Sequence, residues 1–160
     1  MRKDFGCLDQ VSFARFAQVF SSLITPGTVV LLVGELGSGK TSFVKHCAPT
    51  FGLDSSQIRS PTFSLMNLYE GKLKVYHVDL YRVGRDTELL MEIEEILERR
   101  DGITFIEWAD KVESFWSGEE IKISLGFCEN GRTVSVESHD ERFLNELSKR
   151  WLEVGQIRKA

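Results

Sequence analysis

Gly34-Glu35-Leu36-Gly37-Ser38-Gly39-Lys40-Thr41 combines a glycine, four residues, Gly-Lys and a hydroxyl side chain. That spacing suits a loop wrapped around a polyphosphate. The glycines let the backbone turn tightly and approach a ligand with no Cβ in the way. Consecutive amides can then face phosphate oxygens as an anion nest. Lys40 would reach the outer phosphates as a point charge, and Thr41 could place its hydroxyl on a magnesium ion. Ser42 follows at the start of a helix, whose first amides add partial positive charge. Residues 34–42 are therefore candidate nucleotide contacts, with Lys40 also a catalytic candidate and Thr41 also a metal candidate.

This is the P-loop pattern, and context must support it: a buried strand before, a helix after. Thr28-Val29-Val30-Leu31-Leu32-Val33 is a continuous apolar run of the kind found in a strand covered on both faces. After the loop, Phe43, Val44, Cys47 and Ala48 recur at helical spacing, and Gly52 supplies a stop. Four fixed positions match by accident in roughly 0.5% of chains of this length. The required flanks reduce that further, so nucleotide binding is the reading to carry forward.

Two strand-end acids extend the candidate site. Lys72 to Asp79 reads as a strand returning from the Glu70-Gly71 turn after an earlier strand, Phe63 to Tyr69. By alternation Leu73, Val75, His77 and Asp79 share one face. A buried carboxylate and imidazole two residues apart need partners. Asp79 either pins the Tyr81-Arg82 loop or stands near the nucleotide and its attacking water; spacing alone leaves both open. Ile103-Thr104-Phe105-Ile106 is a second core strand, ending in Glu107-Trp108-Ala109-Asp110. P-loop folds hold magnesium at such a strand end, which makes Glu107 the Walker B candidate. Trp108 fits either the core or a rim stacking on a ligand.

The chain has 160 residues, 42% hydrophobic and 28% charged, which suits one domain with its own core. Residues 1–155 read as that domain and 156–160 as a frayed tail. A net charge of −4 provides no overall field toward nucleic acid or an anionic membrane. Cys7, Cys47 and Cys128 lack metal-ligand spacing and read as reduced thiols of a cytosolic protein. No apolar stretch follows Met1-Arg2-Lys3-Asp4 as a secretory signal would require, and none approaches a membrane span.

The remaining elements frame the site. Asp9 is positioned to cap a helix whose apolar stripe is Phe13, Phe16, Ala17, Phe20 and Leu23, ended by Pro26-Gly27. Pro61 forces Ser60 out of helical geometry, so 59–64 is an extended loop. Asp86 suits the cap of a helix with Leu89, Ile93, Ile96 and Leu97 inward and Glu92, Glu94, Glu95 and Glu98 in solvent. Ile121 to Phe127 and Thr133 to Glu137 form a hairpin around Asn130-Gly131. Ser138 and Glu141 match a capping box before Phe143, Leu147 and Trp151. Together these describe an α/β, P-loop NTPase-like single domain. Its central sheet is mostly parallel, carries antiparallel hairpins and is flanked by helices.

Taken in order, the loop at 34–41, Ser60-Pro61-Thr62-Phe63, His77-Val78-Asp79-Leu80-Tyr81-Arg82 and Ile106-Glu107-Trp108 resemble the TsaE (YjeE) family over nearly the whole chain. The His-x-Asp-x-Tyr-Arg segment followed by a strand ending in Glu-Trp is far more specific than the loop. The resemblance implies a cytoplasmic, magnesium-dependent ATPase. It would support threonylcarbamoylation of tRNA adenosine beside the anticodon. Its implied partners are TsaD, which carries the transferase chemistry, and TsaB, with tRNA met only through the assembled complex. By motif, Lys40 would contact phosphate, and Thr41 and Glu107 would hold magnesium. The segment 60–64, with Thr62, would act as switch I. Asp79 would be required for activity, and Trp108 would lie near the nucleotide. Arg132 would approach adenine. Ser38 replaces the family's usual Ala, and Glu92 stands where many members have Gly.

Two rivals share the loop. A small-molecule P-loop kinase would need an acceptor pocket and usually an arginine-bearing lid. Arg82, Arg85, Arg99 and Arg100 are present, but no long insertion is. A GTP-dependent switch would need an Asn-Lys-x-Asp guanine reader and an Asp-x-x-Gly turn, and the chain has neither after Asp79.

Overall fold

The computed structural model describes residues 1–61, 64–82 and 87–159. The strands are β1 (Arg2–Leu8), β2 (Val29–Val33), β3 (Met66–Glu70), β4 (Lys74–Asp79), β5 (Gly102–Glu107), β6 (Ile121–Cys128) and β7 (Gly131–Glu137). The helices are α1 (Gln10–Ser22), α2 (Lys40–Cys47), α3 (Thr87–Arg99) and α4 (Glu141–Lys159). One seven-stranded sheet runs in the order β1-β7-β6-β2-β5-β4-β3. Its centre, β6-β2-β5-β4, is parallel, and its outer pairings are antiparallel.

Alternation along β2 explains the two layers. Val30 and Leu32 face a core with Phe13, Phe16 and Phe20 of α1, Phe43 and Val44 of α2, and Leu144 and Leu147 of α4. Leu31 faces the other way, in a cluster with Val78, Ile106 and the Leu89 and Ile93 stripe of α3. Both faces of β2 are therefore covered, as its unbroken apolar run requires. Glu92, Glu94, Glu95 and Glu98 lie exposed on the opposite side of that helix. Asp9 caps α1 by accepting from the Ser12 amide at 2.8 Å, a contact worth about 1 kcal/mol.

Several expectations change. The N-terminal residues form β1, an edge strand that sequence reading missed. Arg2, Lys3 and Asp4 at its start are charged, and Gly6, at φ 78°, lies within the register shift between Asp4 and Cys7. Periodicity fails where the strand bulges. That pairing also overturns the reading of three reduced thiols. Cys7 and Cys128 form a disulfide across 121 residues, with Cα atoms 6.0 Å apart, while Cys47 is free and buried. β1 docks on β7, and β7 on β6, which brings the two sulfurs together. Burial pushes the Cys47 thiol well above its ordinary value.

At α4 the cap is Asp140 rather than Ser138. Asp140 Oδ1 accepts from the Phe143 amide at 3.1 Å, while Ser138 Oγ accepts from the Asp140 amide at 3.0 Å. The helix backbone continues to Lys159, past the point where a frayed tail was expected. β3 begins at Met66, later than the expected strand start at Phe63. Phe63, Thr62, Arg85 and the expected cap Asp86 lie outside the described residues. Among the described residues, no helix is long and apolar enough to cross a membrane.

Candidate functional site

The loop from 34 to 39 leaves the C-terminal end of β2 and enters α2. Gly39 caps α2 at φ 106°, in the left-handed region that disfavours a side chain. Gly34 meets a second constraint: a Cβ there would overlap Ser38 Oγ and the Leu125 carbonyl. Ser38 is fully buried, so its hydroxyl lies packed inside the loop rather than at its surface.

Lys40 is 5% exposed. Its Nζ donates to the carbonyls of Gly34 at 2.6 Å and Glu35 at 2.9 Å, and lies 3.9 Å from the centre of the Trp108 ring. Burial lowers the Lys40 pKa, against the opposing pull of the Glu107, Asp110 and Asp79 carboxylates. The lysine thus braces its own loop. Sequence reading had given it only a ligand-facing part.

The strand-end acids converge on the same place. Parallel register sets Asp79 of β4 beside Glu107 of β5. Thr41 Oγ1, on the first turn of α2, lies 3.0 and 2.8 Å from the two Glu107 oxygens and donates its single proton there. His77, fully buried one step back on β4, joins Nε2 to Glu107 Oε2 at 2.5 Å. Of the two possibilities that spacing left open for Asp79, the structure shows the loop-pinning contact. Asp79 Oδ1 accepts from the Tyr81 amide at 2.8 Å, pinning that loop, and it lines the cavity over Lys40 and Thr41.

That cavity measures about 230 Å³. Leu36, Gly37, Gly39, Lys40, Thr41 and Ser42 form one side, and Ser60, Asp79, Glu107, Trp108 and Arg132 the rest. Gly34, Glu35 and Ser38 are not among its lining residues; they stand behind it as bracing. Trp108 adopts φ 59°, an uncommon conformation for a large side chain, and its ring lies tilted against that of Tyr81, with centroids 4.8 Å apart. Arg132, on β7, donates to the Gly37 carbonyl at 3.2 Å. It also lines a neighbouring cavity of about 410 Å³ with Leu8, Phe13, Gly39 and Ser42. Sequence reading assigned Phe13 to the core alone and gave Leu8 no part. Only the tertiary approach of α1 to the loop reveals this second role. His46 also borders this cavity, and burial, with a smaller effect of Lys45, lowers its pKa. A larger cavity, about 520 Å³, opens over Leu31, Trp116 and Lys122 and contains none of the loop residues.

A mixed sheet with a parallel centre, a glycine-rich loop between a buried strand and a helix, and two acids at neighbouring strand ends define the class: an α/β, P-loop NTPase-like domain. Comparison with known proteins narrows it. The model of the family described as threonylcarbamoyl adenosine biosynthesis protein TsaE matches residues 8–134. A Treponema pallidum protein named tRNA threonylcarbamoyladenosine biosynthesis protein TsaE is 36% identical over 124 residues, 77% of this chain and 91% of its own. A Rickettsia prowazekii protein of the same name is 32% identical over 131 residues, 81% of this chain and 89% of its own. The crystal structure of Bacillus subtilis YdiB superposes with a TM-score of 0.74, covering 94% of this chain and 96% of that one at 24% identity. The chain belongs to the TsaE family, whose role lies in tRNA threonylcarbamoyladenosine biosynthesis.

Proposed function

We propose that this chain binds and hydrolyses ATP with magnesium, in the cytoplasm, and that it serves tRNA threonylcarbamoylation through a complex with TsaD and TsaB. One observation carries the nucleotide reading. Lys40 and Thr41 from the start of α2, with Asp79 and Glu107 from two strand ends, line one cavity beside a glycine-rich turn. The donor set suits magnesium, a hard cation that takes oxygen ligands and keeps several waters. Thr41 Oγ1 and the Glu107 carboxylate would hold it. When bound, it would neutralise charge on the phosphates.

The chain's own residues supply the rest. The turn at 34–39 offers backbone to phosphate oxygens, and Lys40 leaves the Gly34 and Glu35 carbonyls to meet them. Asp79, fixed by the Tyr81 amide, is placed to orient the attacking water. The neighbouring cavity, with apolar Leu8 and Phe13 and the Arg132 guanidinium, suits the base. TsaD and TsaB would complete the exposed side of the site, and tRNA would be met only through that assembly.

Calorimetry and phosphate release on Glu107→Gln test the magnesium assignment. Magnesium dependence of ATP binding should weaken by about 10–100-fold, while magnesium-free binding stays near wild type. Unchanged magnesium dependence would remove Glu107 from the metal site.

A further inference from the structure

The roles given above to Lys40, Thr41, Asp79 and Glu107 leave His77 unused, although it is the imidazole buried at the base of the site. It is 0% exposed. Its Nε2 meets Glu107 Oε2, and its Nδ1 has no hydrogen-bond partner among the described residues. A buried polar atom without a partner is unfavourable, and an apolar side chain of similar size would avoid that cost. The compensation must come from the other nitrogen.

We propose that His77 is a positioning residue for Glu107. The proton sits on Nε2 and is donated to Oε2, which leaves Nδ1 as a bare lone pair; a second proton there would bury an N–H with no acceptor. Glu107 is then held from two sides, by His77 from β4 and by Thr41 from α2. A glutamate has three side-chain torsions, and burial alone does not fix which oxygen faces the cavity. The His77 contact fixes it, keeping the carboxylate turned to Thr41. Partners behind a metal ligand commonly set metal affinity in this way. The β4–β5 register makes the contact possible, since His77 pairs with Phe105 and so sits one step before the Asp79–Glu107 pair on the same side.

This inference rests on Thr41 and Glu107 being the magnesium site, and its test separates the two. A fluorescent ATP analogue is titrated with magnesium against wild type, His77→Leu and His77→Gln, and separately in chelator. Leu keeps the volume and removes the donor, whereas the Gln amide nitrogen reaches the position of Nε2. His77→Leu should raise the half-saturating magnesium concentration by about 10–100-fold and leave chelator binding unchanged, and His77→Gln should restore most of the loss. Should His77→Leu fail to fold in a circular dichroism melt, His77→Asn takes its place, because its shorter amide reaches the position of Nδ1. Wild-type magnesium dependence in the donor-free variant, or equal loss in both variants, would overturn the positioning role. A wild-type protein that binds the analogue with no magnesium dependence would instead overturn the metal reading on which it rests.

Discussion

The two sides of the cavity over Lys40 and Thr41, with the residues around them, are built differently. On one side His77, Asp79, Lys40 and Glu107 are all at most 5% exposed, and each is tied into the sheet or the loop by the contacts described above. On the other side Ser60 and Arg82 are exposed and Tyr81 is 50% exposed. That second wall is tethered by its backbone. Arg59 is held at its amide by Tyr69 Oη at 3.1 Å and at its carbonyl by Asn67 and Tyr69, and Tyr81 is held at its amide by Asp79. Tyr69 and Asn67 of β3 thus anchor Arg59. The difference teaches a division of labour. The buried side is fixed by the β4–β5 register and the loop contacts of Lys40, while the exposed side presents Ser60, Tyr81 and Arg82 outward.

Under the proposed function, substitutions on the two sides should disturb nucleotide handling to different degrees. Asp79→Asn should lose about 10²–10⁴ of turnover while still binding ATP, because Asn keeps the oxygen that accepts from Tyr81. Phosphate release beside calorimetry checks this, and retained turnover would move the water-orienting role elsewhere. Lys40→Ala should weaken ATP binding by about 10–100-fold, the worth of a hydrogen bond to a charged group. Since Lys40 also braces Gly34 and Glu35, a modest fall in melting temperature should accompany the loss. Wild-type affinity in that variant would sink the phosphate assignment.

Cys7→Ser should have the smallest effect at the site. The Cys7–Cys128 bond ties β1 to β6, at the edge that carries Arg132, so its loss should cost about 2–4 kcal/mol of stability. ATP affinity should change by less than about tenfold, because Arg132 keeps its Gly37 contact through the β6–β7 pairing. Denaturant melts with and without reductant check the first part. A large loss of affinity would make the disulfide edge part of the fixed wall.

Much of this wall was legible in the sequence because its signals are local. The loop motif sits between a strand and a helix, alternation puts His77 on the face of Asp79, and Glu107 ends an apolar run. What could not be read depends on pairings between distant segments. The Asp79–Glu107 register, the grip of His77 on Glu107 and the approach of Phe13 to Gly39 arise only once β4, β5 and α1 are packed. β1 escaped because an edge strand with a bulge carries no clean alternation. The disulfide escaped because connectivity across 121 residues leaves no trace in spacing.

The central claim is that a preorganised wall binds nucleotide and a docked partner completes the other. ATP turnover, measured with the purified chain alone and then with TsaD and TsaB added, tests it most directly. Supplying transition-state charge to the open side should raise turnover, toward the 10³–10⁵-fold range of an arginine finger, and linkage requires ATP to tighten the complex in return. Equal turnover in the two mixtures, with no effect of ATP on complex affinity, would contradict it.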